Sequence, residues 1–356
     1  MRNLTALALV FVLHTSIAQD DRGLKDYYKS YFPVGVAVSP QILTGPEADL
    51  IRKEFNSLTA ENVMKMGPIH PEENRYNWEP ADQIVNFAKD NGMKMRGHTL
   101  CWHNQTPPWI FKDNAGNQVS KEVLLQRLKD HITAVVTRYK GQIYAWDVVN
   151  EAIDDKADVF YRPSPWFSII GEEYIAKAFE YAHAADPNAL LFYNDYNTES
   201  PAKRAKIIKL VKSLLDAGVP IHGIGIQGHW SIYSPSDEEI AKSIAEYSAL
   251  GLKLQITELD VSVYPSEQGR RDKRPDEKDV FTSEMEQKQV ELYAAVFRIF
   301  RENVKVISSV TFWNVTDKRS WLDNFPVRGR KNYPLLFDQN LQRKKAYWEV
   351  VRTSDN

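Results

Sequence analysis

Eight short apolar runs, each followed by a longer stretch of mixed polarity, constrain the fold of this chain more than any other feature. The runs are Val34–Val38, Leu58–Met66, Lys94–Trp102, Ile143–Val149, Ala189–Tyr193, Ile221–Gln227, Leu252–Leu259 and Val306–Phe312. Their starts lie roughly 40 residues apart, the length of a strand, a loop and a crossover helix. The intervening stretches carry helix signals. Glu79 to Asn91 and Lys121 to Tyr139 place apolar residues at helical spacing. Ser200-Pro201 and Gly218 bracket another helix, and Ser236-x-x-Glu239 and Ser283-x-x-Glu286 read as capping boxes. Strands that are nearly continuous apolar runs are buried on both faces, so the sheet is parallel with helices outside it. Eight such units predict an α/β fold, a single-domain (β/α)8 TIM barrel. A doubly wound open sheet is the alternative, although it ordinarily uses fewer strands.

Met1 to Gln19 stands apart from this pattern. Arg2, the apolar stretch Leu4 to Leu13 and the small residues Ser16-Ile17-Ala18 form the three regions of a signal peptide. The expected organisation is a leader over 1–18 and a catalytic barrel over 19–356, with a secreted or periplasmic protein after cleavage near Ala18. The leader is too short to span a bilayer, and no second apolar stretch is long enough. The lone Cys101 has no internal partner and reads as a small buried hydrophobe. A net charge of −2 argues against nucleic acid as the partner, because a polyanion calls for a basic face. The densely charged stretch Ser266 to Lys278 follows the seventh run. It is either a solvated loop or a lip over one end of a cleft.

In a (β/α)8 barrel the chemistry collects at the carboxyl ends of the strands. Here those ends are rich in polar and aromatic residues. They are Glu61, Asn62 and Lys65; His98, Trp102, His103 and Gln105; Asn150 and Glu151; Asn194, Asp195 and Tyr196; Gln227, His229 and Trp230; Glu258 and Asp260; and Trp313 and Asp317. One strand-end glutamate is more often an ion-pair partner than a catalyst. Several such ends converging on one face reverse that expectation. Glu151 and Glu258 both close β-branched runs, and two carboxyl groups facing one cleft are what cleavage of a glycosidic bond requires. One must stay protonated to assist the leaving oxygen, and the other must stay ionised to attack the anomeric carbon. Asn150 is placed to hydrogen-bond the sugar 2-hydroxyl. His229 is placed to hold Glu258 ionised, with Asp260 behind its imidazole.

Three competing chemistries fare worse. Gly223-x-Gly225-x-x-Gly228 matches a dinucleotide fingerprint, but its first two glycines fall inside a strand and no helix follows at once. His98 and His103 are five apart, which on a continuous strand points them to opposite faces, and no HExxH or CxxC is present, so no metal is expected. No Gly-x-Ser-x-Gly elbow is present either. No cofactor is expected.

Thr59-Ala60-Glu61-Asn62-Val63-Met64-Lys65, the run Arg96 to Trp109, Trp146-Asp147-Val148-Val149-Asn150-Glu151 and Gln255-Ile256-Thr257-Glu258-Leu259-Asp260, in this order, resemble the glycoside hydrolase family 10 endo-β-1,4-xylanases. The resemblance runs from about Gly35 to Tyr347. It implies a (β/α)8 barrel that hydrolyses internal bonds of xylan with net retention. It also implies Glu151 as acid/base and Glu258 as nucleophile, with Glu61, Asn62 and Lys65 binding the sugar one step beyond the cleaved unit. His98, Trp102, Asn150, Gln227 and His229, with Trp313 and Trp321 as cover, would wall the cleavage site, and Gln105 would also bind substrate. Asn194 and Tyr196 would line the leaving-group side. The expected partners are xylan and xylo-oligosaccharides, bound by a monomer. A barrel β-glucanase or mannanase and a non-catalytic xylan-binding protein are the alternatives. One departure from the family pattern is Asn314, which follows Trp313 where glycine is usual. Asparagine is the non-glycine residue best suited to a left-handed backbone.

Overall fold

In the computed structural model, which describes residues 21–267 and 269–352, the sheet closes on itself. Its strands are β1 (Val34–Val38), β2 (Ser57–Ala60), β3 (Lys94–Cys101), β4 (Ala145–Asn150), β5 (Leu190–Asp195), β6 (Gly223–Ile226), β7 (Lys253–Ser262) and β8 (Ile307–Phe312). Each pairs in parallel with the next. The ring is completed where β8 meets both β1, with Val34 opposite Val310, and β7, with Ile307 opposite Leu254. The expected (β/α)8 barrel is present. The leader read in Met1 to Gln19 lies outside the described residues.

A helix follows every strand, as parallel pairing demands, because the chain must cross back before it can pair again. These are Gly45–Glu54, Glu79–Asp90, Lys121–Arg138, Glu173–Ala185, Pro201–Asp216, Asp237–Ser248, Ser283–Glu302 and Lys345–Arg352. On Lys121–Arg138 the buried residues Leu124, Leu128, Ile132 and Val135 form one stripe at three- and four-residue spacing, which lies on the sheet. Ser236 accepts from the Glu239 N–H at 3.3 Å, as its capping motif predicts. The cap of Ser283–Glu302 is one residue earlier than expected. Thr282 accepts from the Met285 N–H at 3.2 Å, and Ser283 is already helical. Among the described residues no helix is long and apolar enough to cross a membrane.

The space inside the barrel is polar. Arg96 on β3 reaches across the axis to Gln255 on the opposite strand β7, with Nε donating to Oε1 at 2.6 Å. Its Nη2 donates to Asp147 of β4 at 2.7 Å, and both side chains are fully buried. Glycine makes room for this filling on β6. A Cβ at Gly223 would meet the Phe192 ring at 2.1 Å, and one at Gly225 would meet Asn194 Oδ1 at 2.2 Å. The supposed dinucleotide glycines are therefore explained by close packing within the barrel.

Two strand expectations need correction. β2 ends at Ala60, six residues before the predicted Met66. Glu61 to Lys65 form a turn that leads into the short helix Met66–Ile69, and this turn is what faces the polar residues inward. Three short strands were not expected. His229–Ser231 pairs with the end of β7, and Arg271–Asp272 pairs with Val327–Arg328 in a separate two-stranded sheet.

Candidate active site

Glu258 leaves β7 with its side chain inside a ring of donors. His229 Nε2 lies 3.2 Å from its Oε2, and Asn194 Nδ2 donates to its Oε1 at 2.7 Å. His98 Nδ1 is 3.9 Å from Oε1. The short strand His229–Ser231 sets this geometry, because pairing His229 opposite Asp260 places the imidazole between two carboxylates. Its Nδ1 is 3.0 Å from Asp260 Oδ2, which also accepts the Trp321 indole N–H at 2.7 Å. Burial alone would raise the Glu258 pKa. The charges of His98, His229 and Lys65 together with the His229 hydrogen bond outweigh burial and hold it at about 2. His229 is the mirror case. Burial disfavours its charge, but Asp260 and Glu258 raise its pKa to about 10. The two carboxyl groups thus favour the charged imidazolium of His229, which in turn favours the Glu258 carboxylate.

Glu151 is tuned the other way. It sits at the end of β4 with φ of +57°, a left-handed conformation rare for a side-chain-bearing residue and concentrated at functional sites. The Glu151 N–H donates to Asn194 O of β5 at 2.9 Å, which fixes the turn. Its Oε2 accepts the Trp102 indole N–H at 2.9 Å, and its Oε1 accepts from Gln227 Nε2 at 3.0 Å. Burial raises its pKa first, and the charges of Asp195 and Glu258 add to the rise against those two hydrogen bonds. The two glutamates are joined by amides. Asn150 Oδ1 accepts from Asn194 Nδ2 at 2.9 Å, and Asn194 Nδ2 also reaches Glu258. With its oxygen so engaged, the Asn150 amide presents its NH2 group near Glu151 Oε1, at 3.3 Å.

Glu61, Asn62, Lys65 and Gln105 are brought together on one wall. Lys65 Nζ donates to Asn62 Oδ1 at 2.9 Å, and Gln105 Nε2 approaches the same oxygen at 3.3 Å. The Lys65 ammonium lies 4.9 Å from the Trp102 ring and 5.8 Å from that of Trp313. Burial raises the pKa of Glu61 and lowers that of Lys65, each opposed by the other's charge. Asn314 has the left-handed φ of 86° anticipated for it. Its amide accepts the Trp321 backbone N–H at 3.0 Å, which a glycine could not do.

On the other side of Glu151 stands Tyr196. Its hydroxyl donates to Asp155 and accepts from Arg162 Nη2 at 2.9 Å, while the Lys203 ammonium lies 3.7 Å from its ring centroid. Arg162 Nε donates to the backbone oxygen of Glu151 at 2.8 Å. Asn194, expected beside Tyr196, is instead fully buried beneath Glu258, where it bridges the machinery and cannot line a subsite. Gln227 likewise turns to Glu151 and Asn150.

The argument that His98 and His103 face opposite ways fails, because β3 stops at Cys101 and its alternation stops there too. His98 approaches Glu258, and His103 Nε2 lies 3.9 Å from Glu151 Oε2. Among the described residues no group of three or more His, Cys, Asp or Glu is placed to hold a metal ion. Asp147, Arg96 and Arg162 escaped the sequence reading. Asp147 accepts from His98 at 3.0 Å, and a charged residue inside the apolar run Trp146-Asp147-Val148 was a signal that could have found it.

Comparison with known proteins agrees with this geometry. The model of glycosyl hydrolase family 10 matches residues 23–353. The endo-1,4-beta-xylanase B of Paenibacillus barcinonensis is 52% identical over 324 residues, covering 91% of this chain and 96% of that protein. A beta-1,4-xylanase of Dictyoglomus thermophilum is 48% identical, covering 98% and 96%. The crystal structure of a xylanase from Paenibacillus barcinonensis complexed with a conduramine derivative superposes with a TM-score of 0.90 at 51% identity, covering 94% of this chain and 99% of that one.

Proposed function

We propose a division of labour at this site from one premise: the chain belongs to glycosyl hydrolase family 10 and is a retaining endo-1,4-β-xylanase. Glu258 is the nucleophile and Glu151 the acid/base. The observation that carries this assignment is the opposite tuning of two adjoining carboxyl groups. Glu258 is held ionised by His98, His229 and Lys65, and Glu151 is held toward its protonated form by burial and by its anionic neighbours.

The reaction follows from those states. A Glu258 oxygen attacks the anomeric carbon of a xylose unit while Glu151 gives its proton to the glycosidic oxygen. The leaving xylan fragment departs past Tyr196, and the sugar remains on Glu258 as an ester. Glu151, now a carboxylate, takes a proton from water, and that water releases the sugar with its original configuration. The Asn150 NH2 group is positioned for the 2-hydroxyl, a contact that strengthens as positive charge builds on the ring. Glu61, Asn62, Lys65 and Gln105 hold the next sugar toward the non-reducing end, while Trp313 and Trp321 cover the cleavage site. His229 and Asp260 touch no substrate in this scheme. They position and charge-balance Glu258.

The test is a pair of variants read on two substrates. Glu258→Ala should abolish turnover of everything. Glu151→Ala should lose xylan but keep aryl xylosides with good leaving groups, which need no proton. Equal loss on both substrates would contradict the acid assignment. Labelling with a 2-fluoro xyloside followed by peptide mapping should place the sugar on Glu258, and a label elsewhere would overturn the nucleophile. The leader read in Met1 to Ala18 suits an enzyme whose polymeric substrate stays outside the cell. The N-terminal sequence of protein recovered from the medium checks it.

A further inference from the structure

The charged stretch between Ser266 and Lys278 is largely exposed, yet three of its side chains are tied into one network. Arg271 Nε meets Glu267 Oε2 at 2.7 Å and its Nη2 meets Glu277 Oε1 at 2.5 Å. Arg330, from the segment beyond Trp321, hydrogen-bonds the second oxygen of Glu267 and lies 3.6 Å from Glu277. Two arginines and two glutamates thus alternate in a closed ring. Its side chains are largely shielded, with relative exposures of 26% for Arg271, 24% for Glu267, 21% for Glu277 and 9% for Arg330. The backbone repeats the tie. Arg271 N donates to Pro326 O at 3.1 Å and Lys273 N to Arg328 O at 3.0 Å. Outside the ring, Asp279 accepts the Lys331 N–H at 2.9 Å, and Lys331 pairs with Asp323 at 2.6 Å.

What this ring holds still is the segment that carries Trp321. The Arg270 guanidinium lies 5.2 Å from the centroid of Phe325, and Phe325 stacks on Trp321 at 5.1 Å and 19°. The indole centroid is also 4.8 Å from that of His229, and its N–H ends on Asp260 Oδ2, the oxygen that also contacts His229. Among the described residues Asp260 Oδ1 has no hydrogen-bond partner, and Oδ2 takes both contacts. A continuous line of contacts therefore runs from Arg270 through Phe325, Trp321, Asp260 and His229 to Glu258.

We propose that the loop is a clamp: Arg271 and Arg270 are positioning residues that hold Trp321 over the cleavage site and, through Asp260 and His229, fix the aim of Glu258. The proposal deepens the functional reading above and rests on Glu258 being the nucleophile. A loop that merely stabilises the fold would act independently of Trp321. A clamp acts only through it.

A double-mutant cycle separates the two. Arg271→Ala should lower kcat/KM on a linear xylo-oligosaccharide by about fivefold, the scale of a partly exposed ion pair. In a Trp321→Phe background, which removes the indole N–H, the same change should have no further effect. Arg271→Lys should restore part of the loss, since an ammonium can keep one arm of the ring. If Arg271→Ala does not accumulate as folded protein, Arg270→Ala takes its place, because that side chain is exposed and the same dependence on Trp321 is expected. Additive losses in the cycle, or no loss from either arginine variant, would overturn the clamp. Glu258→Ala serves as the control. Turnover surviving there would overturn the nucleophile assignment, whereas additivity with a dead Glu258→Ala would overturn the clamp alone.

Discussion

His229→Gln tests the electrostatics of the site most directly. Glutamine keeps a hydrogen-bond donor near Glu258 but removes the positive charge that sits 3.2 Å from its Oε2. An opposite charge at that distance depresses a carboxyl pKa by about 1 to 3 units. With it gone, the charges of His98 and Lys65 still oppose burial but the nearest one is lost, so the Glu258 pKa should climb from about 2 by about two units. Two units correspond to about 2.7 kcal/mol of lost preference for the carboxylate. The nucleophile works ionised, so activity falls as pH drops through its folded-state pKa. The acidic limb of kcat/KM should therefore move upward in the variant. A charge-assisted hydrogen bond is also weakened, which should lower the plateau by about tenfold or more. The assay is kcat/KM from strongly acidic to neutral pH on an aryl xylobioside with a good leaving group. On that substrate protonation of Glu151 does not limit the rate, and the acidic limb reports Glu258 alone. A lowered plateau with an unmoved acidic limb would refute the reasoning. It would mean that His229 orients the carboxylate without setting its charge.

The interior of the barrel offers two more tests. Arg96→Met leaves Asp147 buried without its cation and should cost about 3 to 5 kcal/mol. The added change Asp147→Leu should recover much of that in a thermal melt but not the activity, because His98 has lost its partner too. Gly225→Ala drives a methyl group to 2.2 Å from Asn194 Oδ1. It should destabilise by about 1 to 3 kcal/mol and depress kcat more than KM, because Asn194 bridges Asn150 and Glu258; an unchanged kcat in the folded variant would argue against that bridge.

The barrel was legible because strands covered on both faces leave continuous apolar runs, and because the spacing of those runs leaves room for a helix in each gap. Site residues were legible where they stood at strand ends. What stayed hidden shares a physical cause. Arg96 and Asp147 are 51 residues apart, and nothing local marks either as the other's partner. The inner face of a strand is fixed only when the ring closes, so polar residues at alternate positions of β3 and β7 gave no sign of pointing inward. Asn194 was misplaced for the same reason: its burial depends on β7 lying across from it. The choice between a solvated loop and a lip stayed open for the charged stretch because one of its counter-charges, Arg330, comes from beyond β8. The turn at Glu61 to Lys65 was merged into β2 because Val63, Met64 and Met66 prolong the apolar run while serving a different element.

The seam between β1 and β8 has a consequence for how the molecule is made. Val34 meets Val310, and nearby Tyr28 donates to the backbone oxygen of Val350 at 2.8 Å while Arg343 grips Glu54. The first strand thus waits for the last, and no closed ring exists until β8 has been made. Contacts so distant in sequence make folding slow, since loop closure must come before the contacts that reward it. Until then β1 presents one unpaired edge, and the cover over the cleavage site, Trp313 and Trp321, is among the last parts to arrive. Closure of the ring therefore also gathers the cleavage site, which draws Lys65 and His98 from the first half of the barrel and Glu258 from the second.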